Sequence, residues 1–285
     1  HDHFTIGHTS TSVSLACGLA KARDLKHEKY NVIAVIGDGS LSGGEALEGL
    51  DYAAELNGNL IIIVNDNDMS IAENHGGLYQ NLKLLRETKG QAECNLFKAM
   101  GLDYLYIDQG NDVASLIEGF EKVKDTKKAV VVHIRTQKGK GYLPAEKDKE
   151  TWHYSGPFHM DTGKPLVEEV SEDYSDVTVK YLLDKMKKDP TVVAITSGTP
   201  TVLGFTADKR KEAGSQFVDV GIAEETAVAL ASGIAANGGK PIWGVYSSFV
   251  QRTYDQISQD LCINGNAATM VVYWGTVYGM NDVTH

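Results

Sequence analysis

Short apolar runs alternate with segments of helical spacing along the first half of the chain. Strands are predicted at residues 31–36, 59–64, 103–107 and 129–135, and helices at residues 45–56 and 112–124. The first two runs are apolar at almost every position, which suits strands that are buried on both faces. Strands that alternate with helices in this way predict a parallel sheet with right-handed crossovers.

Residues 136–170 break this alternation, because glycine, proline and charges of both signs are mixed there, and we predict a long loop and linker. The alternation then resumes, with strands at residues 191–196, 217–220, 241–245 and 268–273 and helices at residues 177–188, 224–236 and 253–262. The predicted fold class is α/β, with two tandem doubly wound parallel-sheet domains. Their predicted bounds are residues 1–155 and 173–285, with a linker at 156–172.

Charge and composition argue against several classes of protein. The 285 residues carry a net charge of −11, so the chain has no bulk attraction for nucleic acid or an anionic membrane. No apolar run approaches the ~18–20 residues that span a bilayer. The cysteines Cys17, Cys94 and Cys262 lack zinc-binding and C-x-x-C spacing, which favours a reducing cytoplasm. We expect part of a longer protein, because His1 and His285 end the chain without an initiator methionine or a helix stop.

Two polar clusters follow predicted strands at the point where each strand ends. Residues 37–40 (GDGS) follow the first strand, and residues 65–68 (NDND) follow the second. Ligands of open parallel sheets bind beyond the carboxyl ends of the strands, so Asp38 and Asn67 should face each other if the strands are neighbours. A carboxylate and an amide oxygen suit Mg²⁺, and glycines and a helix N-terminus suit a phosphate. The pattern predicts a Mg²⁺–diphosphate clamp.

Other interpretations of these clusters stay open at this point. A lone GDG is most often a turn, and so is a lone NDND. An EF-hand lacks its required glycine and closing glutamate here. The dinucleotide fingerprint G-x-G-x-x-G nearly matches at Gly37, but Ser42 takes the place of its third glycine, and Asp38 would lie against the pyrophosphate.

GDG followed about thirty residues later by an asparagine resembles the thiamine diphosphate signature. More narrowly, the chain resembles the 1-deoxy-D-xylulose-5-phosphate synthase family of the transketolase superfamily in six segments: GHTSTS, GDGSLSGGEALEGL, NDNDMSI, KGKGYLPAEKD, DVGIAEE and YSSFVQRTYDQ. This resemblance runs over nearly the whole chain. It implies an incomplete diphosphate-binding domain at residues 1–155, an incomplete pyrimidine-binding domain at residues 173–285, an absent third domain and a homodimer.

The resemblance also implies a role for individual residues. Mg²⁺ would be bound by the side chains of Asp38 and Asn67 and by the carbonyl of Met69. The expected cofactor-binding residues are Gly7, His8, Thr9, Gly39, Ser40, Asn67, Tyr142, Glu224 and Phe249. The expected catalytic residues are Glu224, His153, His8 and His285. The expected substrate-binding residues are Tyr246, Arg252, Asp282 and His285.

Several of these residues have an ordinary structural interpretation as well. An acid at the start of a helix, as at Glu224, most often interacts with the helix dipole. The resemblance instead implies that Glu224 hydrogen-bonds the aminopyrimidine ring, which requires a dry pocket and a raised pKa. By residue type alone, Phe249 could equally be core packing, and a loop histidine such as His153 is more often solvated than catalytic.

The implied reaction condenses pyruvate with an aldehyde such as glyceraldehyde 3-phosphate, with thiamine diphosphate and Mg²⁺. It releases CO₂ and gives 1-deoxy-D-xylulose 5-phosphate, a precursor of isoprenoids, thiamine and pyridoxal. The chain departs from the family pattern at its substrate end, where Trp274 replaces an arginine and Val283 replaces a glycine. Transketolase-like ketol transfer, a synthase with another aldehyde acceptor and an inactive cofactor-binding subunit are therefore alternatives.

Overall fold

The structure is a computed structural model that describes residues 3–167 and 172–274. These residues form two compact units. The first unit comprises residues 9–167, and the second comprises residues 172–274 together with residues 3–8. Residues 156–167, which were predicted as part of the linker, thus have their contacts within the first unit. The other predicted domain bounds stay a prediction.

The first unit alternates strands and helices, as the apolar runs predicted. Its helices are α1 (Ser12–Leu25), α2 (Gly44–Ala54), α3 (Gly77–Glu87), α4 (Leu96–Ala99), α5 (Val113–Val123) and α6 (Leu143–Lys147). Its strands are β1 (Ile33–Gly37), β2 (Leu60–Asp66), β3 (Asp103–Ile107) and β4 (Ala129–Arg135).

The four strands form a parallel sheet in the order β1-β2-β4-β3. In β2, Ile62 belongs to a core shared with α1, α2 and α3, whereas Ile61 belongs to a second core shared with α5. The strand is therefore buried on both faces, which explains its unbroken apolar sequence. The register pairs Gly37 with Asn65, so β1 and β2 end side by side.

The second unit repeats this architecture. Its helices are α7 (Tyr174–Met186), α8 (Ala207–Ala213), α9 (Glu224–Ala236) and α10 (Tyr254–Gln256), the last continuing as a π-helix (Ile257–Ile263). Its strands are β5 (Val192–Thr196), β6 (Phe217–Asp219), β7 (Lys240–Tyr246) and β8 (Thr269–Tyr273).

These strands form a parallel sheet in the order β6-β5-β7-β8, with cores on its two faces. Ala194 packs with residues of α7, and Ile195 packs with residues of α9. The chain moves from β5 outward to β6 and then back past β5 to β7. The carboxyl ends of β5 and β7 therefore flank a topological switch point, where sheets of this kind bind ligands.

The α/β fold class with two doubly wound parallel sheets is confirmed. The structure differs from the predicted elements at residues 136–170, where α6 and a 3₁₀ turn (Thr151–His153) stand in the predicted loop. It also contains helices α1, α3, α4 and α8, which the apolar pattern did not predict. Among the described residues, none of the helices has the length and apolar character needed to cross a membrane.

Candidate functional site

Asp38 joins the two polar clusters of the first unit. Its carboxyl group is buried, and its Oδ2 accepts hydrogen bonds from the backbone N–H of Met69 at 3.1 Å and from Nδ2 of Asn74 at 2.8 Å. The structure therefore brings the residue after β1 against the loop after β2. Asn74 was not among the expected site residues. It lies outside the helices and strands, so no periodic pattern in the sequence pointed to it.

Asn67 carries a buried polar atom without a partner. Its Oδ1 makes no hydrogen bond in the described part of the chain. An unsatisfied buried acceptor costs roughly 1–3 kcal/mol, which a bound ligand would offset. A hard cation would satisfy it, and the neighbouring Asp38 supplies the matching charge. The residues present thus fit a magnesium ion.

The pKa of Asp38 is raised to about 7. Burial is the largest cause, and the negative charge of Asp66 adds to it, whereas backbone N–H groups near the carboxyl act in the opposite direction. A carboxylate in such surroundings is stabilised by a bound cation.

A buried polar network lies behind this loop. The Asp66 carboxylate accepts hydrogen bonds from Arg86 and from Nε2 of His133, and Nδ1 of His133 lies 2.8 Å from the Tyr104 hydroxyl. Burial alone would raise the pKa of Asp66, but the hydrogen bonds from His133 and Arg86 outweigh it and hold the pKa below its usual range. The one sequence signal was a histidine inside the apolar run of β4.

Gly39 and Ser40 form the turn that was expected to contact a diphosphate. A Cβ at Gly39 would lie 2.6 Å from the Cβ of Ser70, so only glycine fits there. The Ser40 carbonyl accepts a hydrogen bond from the Ser10 hydroxyl at 2.8 Å, which brings the segment containing Thr9 to this turn. Ser10 is buried and has a φ of +82°, and neither feature was foreseen.

Lys138 places a positive charge at the same edge of the first sheet. Its Nζ donates to the Ser70 carbonyl and lies 3.0 Å from Nδ1 of His153. Partial burial and the nearby Lys138 charge lower the pKa of His153. The structure thus brings His153 toward the loop after β2, next to Lys138, which was not among the expected residues.

Tyr142 belongs to an aromatic cluster. Its ring centroid lies 5.1 Å from that of Trp152 and 5.7 Å from that of Phe158, and its hydroxyl donates to the Met160 carbonyl at 3.1 Å. The cluster anchors Trp152, the residue directly before His153. No contact described for Tyr142 links it to Asp38 or Asn67, and its cofactor role stays a prediction.

Glu224 is the first residue of α9, and its side chain is 2% exposed. Its Oε2 makes no hydrogen bond among the described residues, and Nη1 of Arg252 lies 3.8 Å from it. Burial raises the pKa of Glu224 to about 7, although the Arg252 charge acts in the opposite direction. A helix-terminus acid that served only the dipole would be solvated, whereas this one meets the requirement of a dry pocket and a raised pKa.

The turn that leads to Glu224 is held by Asp219. The Asp219 carboxylate accepts hydrogen bonds from the Thr196 hydroxyl at 2.6 Å, from the Gly221 N–H at 2.8 Å and from the Gly198 N–H at 3.2 Å. These bonds tie the ends of β5 and β6 together. Asp219 therefore fixes the chain that enters α9.

Aromatic side chains of the second unit contact one another. The His8 and Phe249 rings meet edge to face at 5.2 Å, and His8 Nε2 lies 2.8 Å from the Ser248 carbonyl. Tyr246 contacts Phe249 at 6.2 Å and Trp274 at 4.6 Å between ring centroids. Gly7 directly precedes His8 in this unit. The expected substrate residues Asp282 and His285 lie outside the described residues.

Known proteins are similar to this chain in sequence. The family model described as 1-deoxy-D-xylulose-5-phosphate synthase matches residues 1–94, and the one described as transketolase, pyrimidine binding domain, matches residues 173–285. A 1-deoxy-D-xylulose-5-phosphate synthase from Geobacter metallireducens is 38% identical over 322 residues, covering 100% of this chain and 51% of that protein. One from Listeria monocytogenes is 43% identical over 273 residues, covering 92% of this chain and 44% of that protein.

Among solved structures, transketolase from Leishmania mexicana matches 89% of this chain and 50% of its own, with 15% identity and a TM-score of 0.39. The sequence matches place the chain in the transketolase superfamily. Within it, the chain belongs to the 1-deoxy-D-xylulose-5-phosphate synthase family, as the six matching segments predicted. The chain spans about half the length of the curated relatives it matches.

Proposed function

We propose that this chain is the cofactor-binding part of a transferase that uses thiamine diphosphate and Mg²⁺. The reaction condenses pyruvate with an aldehyde, glyceraldehyde 3-phosphate, releases CO₂ and gives 1-deoxy-D-xylulose 5-phosphate. The relatives named 1-deoxy-D-xylulose-5-phosphate synthase support the reaction class. The single observation that carries the proposal is the buried Glu224 carboxyl, whose Oε2 accepts no hydrogen bond among the described residues and whose pKa is raised to about 7.

The first unit supplies the groups for the metal and the diphosphate. Asp38 and the orphaned Oδ1 of Asn67 would bind Mg²⁺, with the carbonyl of Met69 as a third ligand. The turn at Gly39 and Ser40 would bind the diphosphate through its backbone, and the missing side chain of Gly39 lets this turn pack directly against Ser70. When bound, thiamine diphosphate supplies the electron sink that lets the carboxylate of a 2-keto acid leave as CO₂.

The second unit supplies the proton chemistry. A carboxyl with a pKa of about 7 exchanges its proton readily near neutral pH, so Glu224 can hold a proton at Oε2 and return it within one turnover. Phe249 offers an apolar face, and His8 is fixed against it by its hydrogen bond to the Ser248 carbonyl. Arg252 keeps a positive charge beside Glu224 and provides an anion-binding group for a substrate carboxylate or phosphate.

One observation favours a different aldehyde as the second substrate. The Trp274 ring contacts the Tyr246 ring in a tilted arrangement, with 4.6 Å between the centroids. The end of β7 therefore presents an aromatic surface, whereas a cation would bind a phosphate better. A synthase of the same type with a different aldehyde is therefore the alternative. The homodimer and the cytoplasmic location also stay predictions, which rest on the resemblance and on the cysteine pattern.

The test is a turnover assay on the full-length protein with pyruvate, thiamine diphosphate and Mg²⁺, in the presence and absence of glyceraldehyde 3-phosphate. We expect CO₂ release that depends on the aldehyde. Glu224→Ala should abolish this release and leave Mg²⁺–diphosphate binding largely intact, whereas Glu225→Ala, one residue further along α9, should remain active. Ketol transfer from a sugar phosphate without CO₂ would point to the transketolase-like alternative, and full turnover by Glu224→Ala would contradict the proposal.

A further inference from the structure

Arg86 of α3 contacts the carboxylates on both sides of Asn67. Its Nη1 lies 2.8 and 2.7 Å from the two oxygens of Asp66, and its Nη2 lies 2.5 Å from Oδ1 of Asp68. The Asp66 side chain is fully buried, whereas the Asp68 side chain is 62% exposed. One guanidinium group thus spans the loop from its buried start to its exposed turn.

Both oxygens of the Asp66 carboxylate accept hydrogen bonds from protein groups. Besides both bonds from Arg86, its Oδ2 accepts from Nε2 of His133 at 2.8 Å and its Oδ1 accepts from the N–H of Asp68 at 3.1 Å. With its lone pairs occupied by protein donors, Asp66 is a structural group and not a free metal ligand. Its carboxylate instead fixes the backbone on either side of Asn67.

The loop leaves the ordinary right-handed and extended backbone conformations at Asp68. Asp68 has a φ of +63°, in the left-handed region that few residues other than glycine, asparagine and aspartate adopt. The ion pair with Arg86 and the hydrogen bond to Asp66 hold Asp68 in this conformation. The residue before Asp68 is Asn67, with its orphaned Oδ1, and the residue after it is Met69, whose N–H donates to Asp38.

We propose that Arg86 is a positioning residue for the metal site, which holds Asp66 and Asp68 so that Asn67 and Met69 keep the orientation that a divalent cation requires. This inference rests on the proposed function, since it takes Asn67 and Met69 as ligands. It goes beyond that function because it assigns the geometry of the ligands to a residue on a separate helix. Outer residues of this kind typically change metal affinity 10- to 100-fold when they are replaced.

A purely structural role for Arg86 would give a different result, and the chain offers a matched control. Arg23 is 2% exposed and lies in the same unit, where its Nη1 donates to the carbonyls of Tyr30 at 3.0 Å and Asn59 at 2.6 Å. These carbonyls precede β1 and β2, so Arg23 supports the opposite ends of the two strands that carry the candidate site. Replacing Arg23 should disturb folding stability to a similar degree without reaching Asn67.

The experiment compares Arg86→Lys and Arg23→Lys with the wild type in the full-length protein. Lysine keeps the charge but cannot reach two carboxylates with one planar fork. Mg²⁺ is titrated at a fixed concentration of thiamine diphosphate with binding followed by calorimetry, and thermal unfolding is measured in parallel. We expect both variants to lose thermal stability, but only Arg86→Lys to raise the apparent Kd for Mg²⁺, by about 10- to 100-fold. Excess Mg²⁺ should restore thiamine diphosphate binding to Arg86→Lys.

A second variant covers the case in which Arg86→Lys does not fold. Asp68→Asn alters an exposed side chain, tolerates the left-handed backbone and removes only the negative charge that Arg86 contacts at the outer end of the loop. It should weaken Mg²⁺ binding about 3- to 10-fold. Mg²⁺ affinities within threefold of wild type for both Asp68→Asn and folded Arg86→Lys would overturn the inference while the proposed function stands. A wild type that binds no thiamine diphosphate in the presence of Mg²⁺ would instead overturn the proposed function, and this inference with it.

Discussion

The guanidinium group of Arg252 lies 3.8 Å from the Glu224 carboxyl, measured from Nη1 to Oε2. This separation is too long for a hydrogen bond, so the ion pair only partly offsets the burial of Glu224. The pKa of Glu224 accordingly stays raised, at about 7. The protein keeps a destabilising buried acid at the start of α9, which is expected of a group retained for chemistry.

This relationship predicts a pH-dependent gain in stability for Glu224→Gln. The pKa in the folded state lies above the ordinary value of 4.5, so the folded protein binds more protons than the unfolded protein between about pH 4.5 and 7. Glu224 therefore lowers stability as the pH rises through this window. At pH 8 the glutamine variant should be more stable than wild type by on the order of 1–3 kcal/mol, and the difference should vanish toward pH 4.5.

Urea unfolding at a series of pH values measures this difference. Glu225→Gln is the matched control, because it removes a carboxyl at the next position of α9 that is less buried. Its difference from wild type should be small throughout. A pH-independent difference for Glu224→Gln would contradict the raised pKa.

The two glycines of the GDG motif should respond differently to replacement by alanine. A Cβ at Gly39 would lie 2.6 Å from the Ser70 Cβ and 3.0 Å from the Ser70 Cα, whereas a Cβ at Gly37 would meet nothing within 4 Å. Gly39→Ala must displace the segment after Met69 and should cost about 1–3 kcal/mol of stability. It should also weaken thiamine diphosphate binding at least tenfold. Gly37→Ala should bind the cofactor within threefold of wild type.

Calorimetric titration of both variants with thiamine diphosphate in the presence of Mg²⁺ provides the comparison. Combining Gly39→Ala with Ser70→Gly removes the closest contact and should recover part of the lost affinity. Equal effects of Gly37→Ala and Gly39→Ala would indicate that the backbone of the motif, and not the space beside Ser70, decides cofactor binding.

The sequence was enough to predict the meeting of Asp38 with the loop around Asn67, because parallel neighbouring strands end at one edge of a sheet. It could not predict the partners of Asp66. Arg86 comes from a helix 20 positions later and His133 from β4, 67 positions later, and only the folded sheet brings them to one carboxylate. Periodicity describes single elements, and such networks depend on how elements pack.

The missed helix α1 has a similar cause. Its buried residues include Arg23 and the small residues Ala16 and Ala20, so its inward face lacks the large apolar side chains that mark a helix in the sequence. The positive φ of Ser10 and Asp68 was hidden as well, since neither residue is a glycine. Ser10 makes a tertiary hydrogen bond to Ser40, and Asp68 pairs with Arg86 from a separate helix besides its local bond to Asp66.

Asp219 should influence turnover through Glu224. Its carboxylate accepts hydrogen bonds from Thr196 and from the N–H groups of Gly198 and Gly221, and Asp219→Asn turns one acceptor into a donor that faces these groups. The turn before α9 should then move, which should lower kcat about tenfold while the KM for pyruvate changes little.

Asp189→Asn is the control, because Asp189 accepts similar bonds from Thr191 at the opposite end of β5. Both variants should lose stability, but Asp189→Asn should keep its kcat. A normal kcat for Asp219→Asn would argue against this coupling.

Trp274 should act on the aldehyde and not on pyruvate. Its backbone has a φ of +58°, its carbonyl accepts a hydrogen bond from the Ser247 hydroxyl, and its ring contacts the Tyr246 ring in a tilted arrangement. A strained non-glycine residue held by a specific hydrogen bond is typical of a functional position. Trp274→Gly suits the left-handed backbone, so it removes the ring without unfolding the site.

Trp274→Gly should raise the KM for the aldehyde about tenfold, the effect of losing one aromatic contact of roughly 1–1.5 kcal/mol, with the KM for pyruvate within threefold. Trp274→Phe keeps a ring over Tyr246 and should stay close to wild type. Steady-state kinetics with glyceraldehyde 3-phosphate and with unphosphorylated glyceraldehyde measure both substrates. A larger loss for the unphosphorylated aldehyde would show that the aromatic surface serves the carbon chain, because a phosphate gains little from an indole ring. Parallel increases in the KM of pyruvate and of the aldehyde would instead mean that Trp274 supports the whole site and does not select the acceptor.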